Sequence, residues 1–205
     1  QGLSNNSVVN ITQDKDGFLW FATEEGLNKF DGNRFINYYK HTNHISGNEL
    51  NSIYADPTEP IIWIATQRAG MNAYNYEKDE LTVFTHDDSN PNSLITNDVT
   101  HISPASDGNL WLSTNNGLSC LDINKLFFVN YSISEGLPNK QFNYNSVYRA
   151  DDGLLYFGTI NGMIAFYPEN LQMHHNIAQV EFTDFKIYGK SVTPDTIGSP
   201  LNKNI

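Results

Sequence analysis

One pattern recurs four times along the chain and constrains its fold more than any other feature. Asp16-Gly17-Phe18-Leu19-Trp20-Phe21-Ala22-Thr23 is echoed at 59–66, 107–114 and 152–159. The anchors Trp20, Trp63, Trp111 and Tyr156 stand 43, 48 and 45 residues apart, and all three Trp of the chain occupy this one position. Three residues after each anchor comes a Thr (Thr23, Thr66, Thr114, Thr159), followed by Gly26, Gly70, Gly117 and Gly162. Periods of this size mark solenoids, propellers and arrays.

Each unit reads as four short strands. The first carries spaced apolar residues: Val8 and Ile11, Leu50 and Ile53, Val99 and Ile102, Tyr144 and Val147. An Asp/Gly or Pro turn precedes the Trp strand, whose side chains alternate as on a pleated strand. A Thr-x-x-Gly turn leads to strand three (27–30, 71–74, 118–121, 163–166), and strand four follows at 35–39, 81–85 and 126–131. Apolar residues at a spacing of 3.6 do not persist, so helical repeats are excluded. Four strands per unit of some 40–45 residues is the signature of a β-propeller blade. The chain therefore reads as all-β, with blades at about 4–41, 46–88, 94–134 and 138–170, a propeller region over 1–172 and a C-terminal β extension over 173–205.

The fourth unit lacks an outer strand directly after Phe166-Tyr167-Pro168. Residues 180–188 alternate cleanly and either fill that gap or open a following β domain. Four blades sit at the small limit of propellers. The expectation is an open arc, or a ring completed by other chain segments.

Composition agrees with short strands and tight turns. The 205 residues include 27 Asn, a residue that favours turns over helix interiors, and 13% aromatics against 17% charged residues. The formal net charge is −11 with no Lys/Arg cluster, which disfavours nucleic acid and anionic lipid as partners. No apolar run is long enough to span a bilayer. No signal peptide is visible, and Gln1-Gly2-Leu3-Ser4 reads like a chain entered part-way. Cys120 stands alone, so no intrachain disulfide forms.

The repeated Trp, Thr and Gly residues read as scaffold: a large aromatic fills the wedge between neighbouring sheets, and Gly supplies the positive φ of a tight turn. Asp14-Lys15-Asp16-Gly17 superficially suggests a calcium loop, but its Gly falls at position 4 and a Trp strand follows, so a solvated hairpin turn is the better reading. His41, His44, His86, His101, His174 and His175 show no metal spacing, and no nucleophile elbow, phosphate loop or dinucleotide fingerprint occurs. No catalytic residue, metal or cofactor is expected.

Gly2–Val8, the run Gly17–Gly32 and their later copies resemble the two-component regulator propeller repeat, over about residues 2–170. Residues 180–194 resemble the opening strand of the β-sandwich that follows such propellers. The resemblance implies a periplasmic sensor region joined through a membrane helix, absent from this chain, to a histidine kinase, receiver and DNA-binding regulator. It further implies homodimeric full-length sensors that respond to oligosaccharides and switch on glycan-utilisation genes through a phosphorelay. The family stacks two seven-bladed propellers. The first three blades here resemble the opening of such an array and the fourth its last blade.

A ligand would be read where the blades differ while the scaffold stays constant. One rim is formed by loops between strands two and three (Glu24-Glu25, Gln67-Arg68-Ala69, Asn115-Asn116, Ile160-Asn161). The same rim takes the loops leading into strand one (Asn5-Asn6, Asn48-Glu49, Asn97-Asp98, Asn143-Tyr144-Asn145). Amides, an Arg and a Tyr suit sugar hydroxyls and the apolar face of a sugar ring, although each Asn equally serves a turn. The ligand candidates are Gln67, Arg68, Asn115, Asn116, Asn161 and Tyr144, with Arg68 suited to a carboxylated or sulfated sugar. The rival readings are a propeller enzyme, lyase or glycan-cleaving, for which His101 is the nameable candidate, and a passive interaction scaffold.

Overall fold

The computed structural model describes residues 2–42, 44–171, 186–188, 190 and 191. The chain forms two compact units, Gln1–Gln172 and Met173–Ile205. In the first unit, blade one is β1 (Val8–Gln13), β2 (Leu19–Thr23), β3 (Gly26–Phe30) and β4 (Phe35–Tyr38). Blade two is β5 (Leu50–Ala55), β6 (Ile61–Thr66), β7 (Met71–Asn75) and β8 (Glu80–Phe84). Blade three is β9 (Val99–Pro104), β10 (Leu110–Thr114), β11 (Gly117–Asp122) and β12 (Phe127–Tyr131). Blade four has β13 (Phe142–Arg149), β14 (Leu155–Thr159) and β15 (Gly162–Phe166). Every sheet is an antiparallel meander in chain order, and β15 has no fourth strand beside it among the described residues. In the second unit, β16 (Lys186–Ile187) pairs with β17 (Lys190–Ser191); residues 180–185 of the alternating stretch lie outside the described residues.

The alternation of the Trp strands sets the packing, because in each of the first three blades the face that carries Trp meets the next blade. Trp20 and Ala22 on β2 pack with Ile53, Ile62, Ile64 and Tyr74 of blade two. Trp63 and Ala65 on β6 pack with Val99, Ile102, Leu110 and Leu112 of blade three. Trp111 then meets Phe166 of blade four at 4.7 Å between ring centroids. The three indoles are 0–2% exposed, so truncating any of them to Ala should cost about 3–5 kcal/mol.

Asn48 and Asn97 stitch successive blades together. The carbonyl of Asn48 accepts from Gly26 N at 2.8 Å and its side chain from Lys40 N at 2.7 Å, both on blade one. Asn97 repeats both bonds with Gly70 N (2.8 Å) and His86 N (2.7 Å) of blade two. These two Asn are thus joints between sheets as well as turn residues.

Two expectations need correction. The turn after Asp14 is solvated at Lys15, Asp16 and Gly17 but not at its first residue: Asp14 is 6% exposed and its carboxylate accepts from Trp20 Nε1 and from the amides of Asp16 and Phe18. Tyr144 lies on the innermost strand but does not take the place of Val8, Leu50 and Val99. Those residues pair with Thr23, Thr66 and Thr114, and in blade four the residue paired with Thr159 is Phe142. Between Phe142 and Val147 lie four residues, where Val99 and Ile102 enclose two. The innermost strand of blade four therefore carries a two-residue insertion, accommodated as a bulge with Asn145 at φ +52°.

Candidate functional site

The four Thr-to-Gly turns lie at one end of the strands and are built alike. Each Thr hydroxyl donates to its Gly carbonyl, at 2.8, 2.7, 2.8 and 3.1 Å in blades one to four. Each also accepts an amide from within the turn: Glu25, Ala69, Asn116 or Asn161. The turn is fastened in turn to the loop leading into strand one. Glu24 N donates to Ser7 O, Gln67 N to Glu49 O, Asn115 N to Asp98 O and Ile160 N to Gln141 O. A constant frame thus holds variable side chains on one rim.

That rim encloses a cleft of about 640 Å³ lined by Asn5, Val9, Glu24, Glu25, Asn48, Glu49, Leu50, Asn51, Gln67, Tyr144 and Asn145. Residues from blades one, two and four meet there. The bulge in β13 carries Tyr144 to the cleft, 50% exposed, and sets Asn145 against blade one, where its side-chain amide donates to Val9 O at 3.2 Å. From the other side, Asn51 donates to Val99 O at 2.8 Å. Burial raises the Tyr144 hydroxyl pKa, as does the nearby Asp98, while the Gln67 amide and the Arg68 guanidinium pull it back.

The sequence candidates separate on this rim. Gln67 and Tyr144 line the cleft together. Arg68 stands beside them, 73% exposed, but its Nη2 is paired with Glu49 Oε2 at 3.2 Å, so its charge is already engaged by a carboxylate. It occupies the left-handed region at φ +68°, in a turn one residue longer than its three sisters. Asn115 Nδ2 donates to Asp98 Oδ2 at 3.1 Å, while Asp98 Oδ1 is buried without a hydrogen-bond partner. Burial raises the Asp98 pKa and Arg68 opposes that. Asn116 and Asn161 do not line the cleft; Asn161 Nδ2 donates to Asn139 at 3.0 Å. Glu24, Glu25, Asn5, Asn48, Glu49 and Asn145 belong to the rim loops seen in the sequence. Val9, Leu50 and Asn51, on the inner strands, become visible only once those strands are placed around an axis.

His101, on β9, is not itself a lining residue of the cleft but adjoins one, Asn145. Burial lowers its pKa, opposed by a hydrogen bond with Asn145, and its Nδ1 is buried without a partner. Among the described residues, no three His, Cys, Asp or Glu side chains are grouped as a metal ion would require.

Residues 2–25 and 93–116 match the two-component regulator propeller family. The extracellular domain of the hybrid two-component system BT3049 of B. thetaiotaomicron is 50% identical over 83% of this chain, which covers 24% of that domain, with a TM-score of 0.74. A curated relative, histidine kinase P4 of Formosa agariphila, is 28% identical over 99% of the chain, which spans 15% of its length. Virginiamycin B lyase of Staphylococcus aureus aligns over 76% of this chain and 54% of its own at a TM-score of 0.55, but at 15% identity it shares the fold alone. Residues 2–25 and 93–116 are thus two-component regulator propeller repeats, and the other blades share their period and register.

Proposed function

We propose that this chain is part of the extracytoplasmic ligand-sensing region of a hybrid two-component sensor. In this reading it is a periplasmic module that binds oligosaccharides and passes the signal through a homodimeric histidine kinase and phosphorelay to glycan-utilisation genes. Likeness to the extracellular domain of a hybrid two-component system supports the sensor role. The observation that carries the choice of ligand is the cleft, where a half-exposed Tyr144 stands beside Gln67 in a lining shared with Asn5, Asn48 and Asn51. Sugar rings present an apolar face that stacks on an aromatic and hydroxyls that both donate and accept, and amides answer both needs.

The test is calorimetric titration of the complete extracytoplasmic region with a panel of neutral, amine-bearing and carboxylated oligosaccharides. Binding without turnover, weakened about tenfold or more by Tyr144→Ala, is the expected result. Turnover of a panel member would establish the enzyme reading instead, and absence of binding across the panel would remove the saccharide reading.

A further inference from the structure

The cleft has a charge as well as a shape, and its sign runs against an acidic ligand. Three carboxylates line it: Glu24 and Glu25 from blade one and Glu49 from blade two, all on exposed loop positions. A fourth, Asp98, stands next to Tyr144 and Arg68. The one cation among these residues, Arg68, is spent on Glu49 at 3.2 Å. Four carboxylates against one paired guanidinium leave the mouth negative, and the chain around it carries −11. A concave mouth lined by one sign of charge focuses that field on whatever enters.

The cleft is more than an acidic patch, because its remaining wall is built for a ring. The two-residue insertion in β13 exists in none of the other three innermost strands, and it is what brings Tyr144 into the mouth. An aromatic ring and carboxylates lining one cleft fit a ligand with a stackable face and a cationic edge.

We infer, resting on the saccharide reading above, that the cleft selects saccharides bearing a protonated amine over their neutral counterparts and rejects those bearing carboxylates or sulfates. The amine would sit among Glu24, Glu25 and Glu49, where each charge-assisted hydrogen bond is stronger than the neutral one made by a hydroxyl. An anionic sugar would have to break the Arg68–Glu49 pair to find a cation, and would leave Glu49 facing a like charge.

The experiment compares matched tetramers of β-1,4-linked glucosamine, glucose and glucuronic acid on the complete extracytoplasmic region, at mildly acidic pH, where the amine is protonated, and at low and high salt. The glucosamine tetramer is expected to bind about tenfold more tightly than the glucose tetramer, with no binding of the glucuronic acid tetramer. The preference, read as the ratio of the two affinities, should shrink at high salt and vanish in a Glu24→Gln, Glu25→Gln double variant. Equal binding of all three, or tightest binding of the glucuronic acid tetramer, overturns the charge selection and leaves the saccharide reading standing. If none of the three binds, the charge selection falls. The saccharide reading then falls with it only if the whole panel above also fails to bind.

Discussion

The indole N–H of Trp20 donates to Asp14 Oδ2 at 2.7 Å, with the indole fully buried and Asp14 nearly so. The same carboxylate accepts the amides of Phe18 (2.9 Å) and Asp16 (3.1 Å) through Oδ1, so it caps the turn that launches the Trp strand. Lys29, the β3 residue paired with Trp20, places its ammonium 4.0 Å from Asp14 Oδ2 and 4.0 Å from the Phe18 ring centroid, with Tyr76 of blade two at 4.7 Å. Asp14→Ala would orphan three donors and leave a largely buried cation without its partner, at a cost of about 2–4 kcal/mol. Asp14→Asn keeps an acceptor for the turn and should cost less. Urea unfolding of the two variants checks this, and equal stability of Asp14→Ala and the parent would contradict it.

Blade three lacks this device. Ala105 N donates to Asn109 O as Asp14 N donates to Phe18 O, so Ala105 holds the Asp14 position, and the Trp111 indole N–H is buried without a partner. Blade two is intermediate. Asp56 is raised by burial but held below the ordinary carboxylate range by the amides of Glu59 and Thr58 and by the Thr58 hydroxyl, while the Trp63 indole N–H is buried without a partner. Supplying an acceptor in blade three should therefore stabilise the protein. Cys120 stands opposite Trp111 where Lys29 stands opposite Trp20, so an added carboxylate would have no counter-charge. Ala105→Asn, which brings a neutral acceptor, is the better variant. It should raise the urea midpoint by the equivalent of roughly 0.5–1.5 kcal/mol, and a fall in the midpoint would show that the 7% exposed site has no room for the side chain.

Most of this fold was legible because repetition multiplies a weak signal. One turn followed by an aromatic strand means little, but four such units, each with its Thr and Gly, at a common period locate strands, turns and buried faces together. The bulge in β13 was not legible: Tyr144 and Phe142 are both plausible inward aromatics, and only pairing with Thr159 shows which one holds the shared position. The rim loops could be found from variation between blades, and they do frame the cleft. Their electrostatics could not, because the pairing of Arg68 with Glu49 depends on a turn one residue longer that puts Arg68 at positive φ. Asn48 and Asn97 show the same limit from the other direction. Asn is an equally good ligand reader and strand joint, and the bonds to Lys40 N and His86 N appear only when blades stand side by side.

His101 gives the fold a pH dependence of definite sign. Burial lowers its pKa below the ordinary histidine value, against the opposing hydrogen bond with Asn145, so the unfolded chain binds a proton that the folded chain refuses. Its contribution to stability is whole above the unfolded pKa of about 6.5 and is lost as pH falls from there toward the folded value, with a slope of at most about 1.4 kcal/mol per pH unit. His86 works the other way. Its pKa is raised by the Leu94 carbonyl and by Asp88, so its contribution is whole below the unfolded value and lost as pH rises through the folded one. The raw profile mixes the two, and the difference between parent and His101→Gln isolates the buried group. Urea midpoints measured from about pH 5 to 8 should converge at the acidic end, because the variant no longer loses stability as histidine protonates. Parallel profiles across that range would mean that His101 accepts its proton in the folded state as readily as in the unfolded chain.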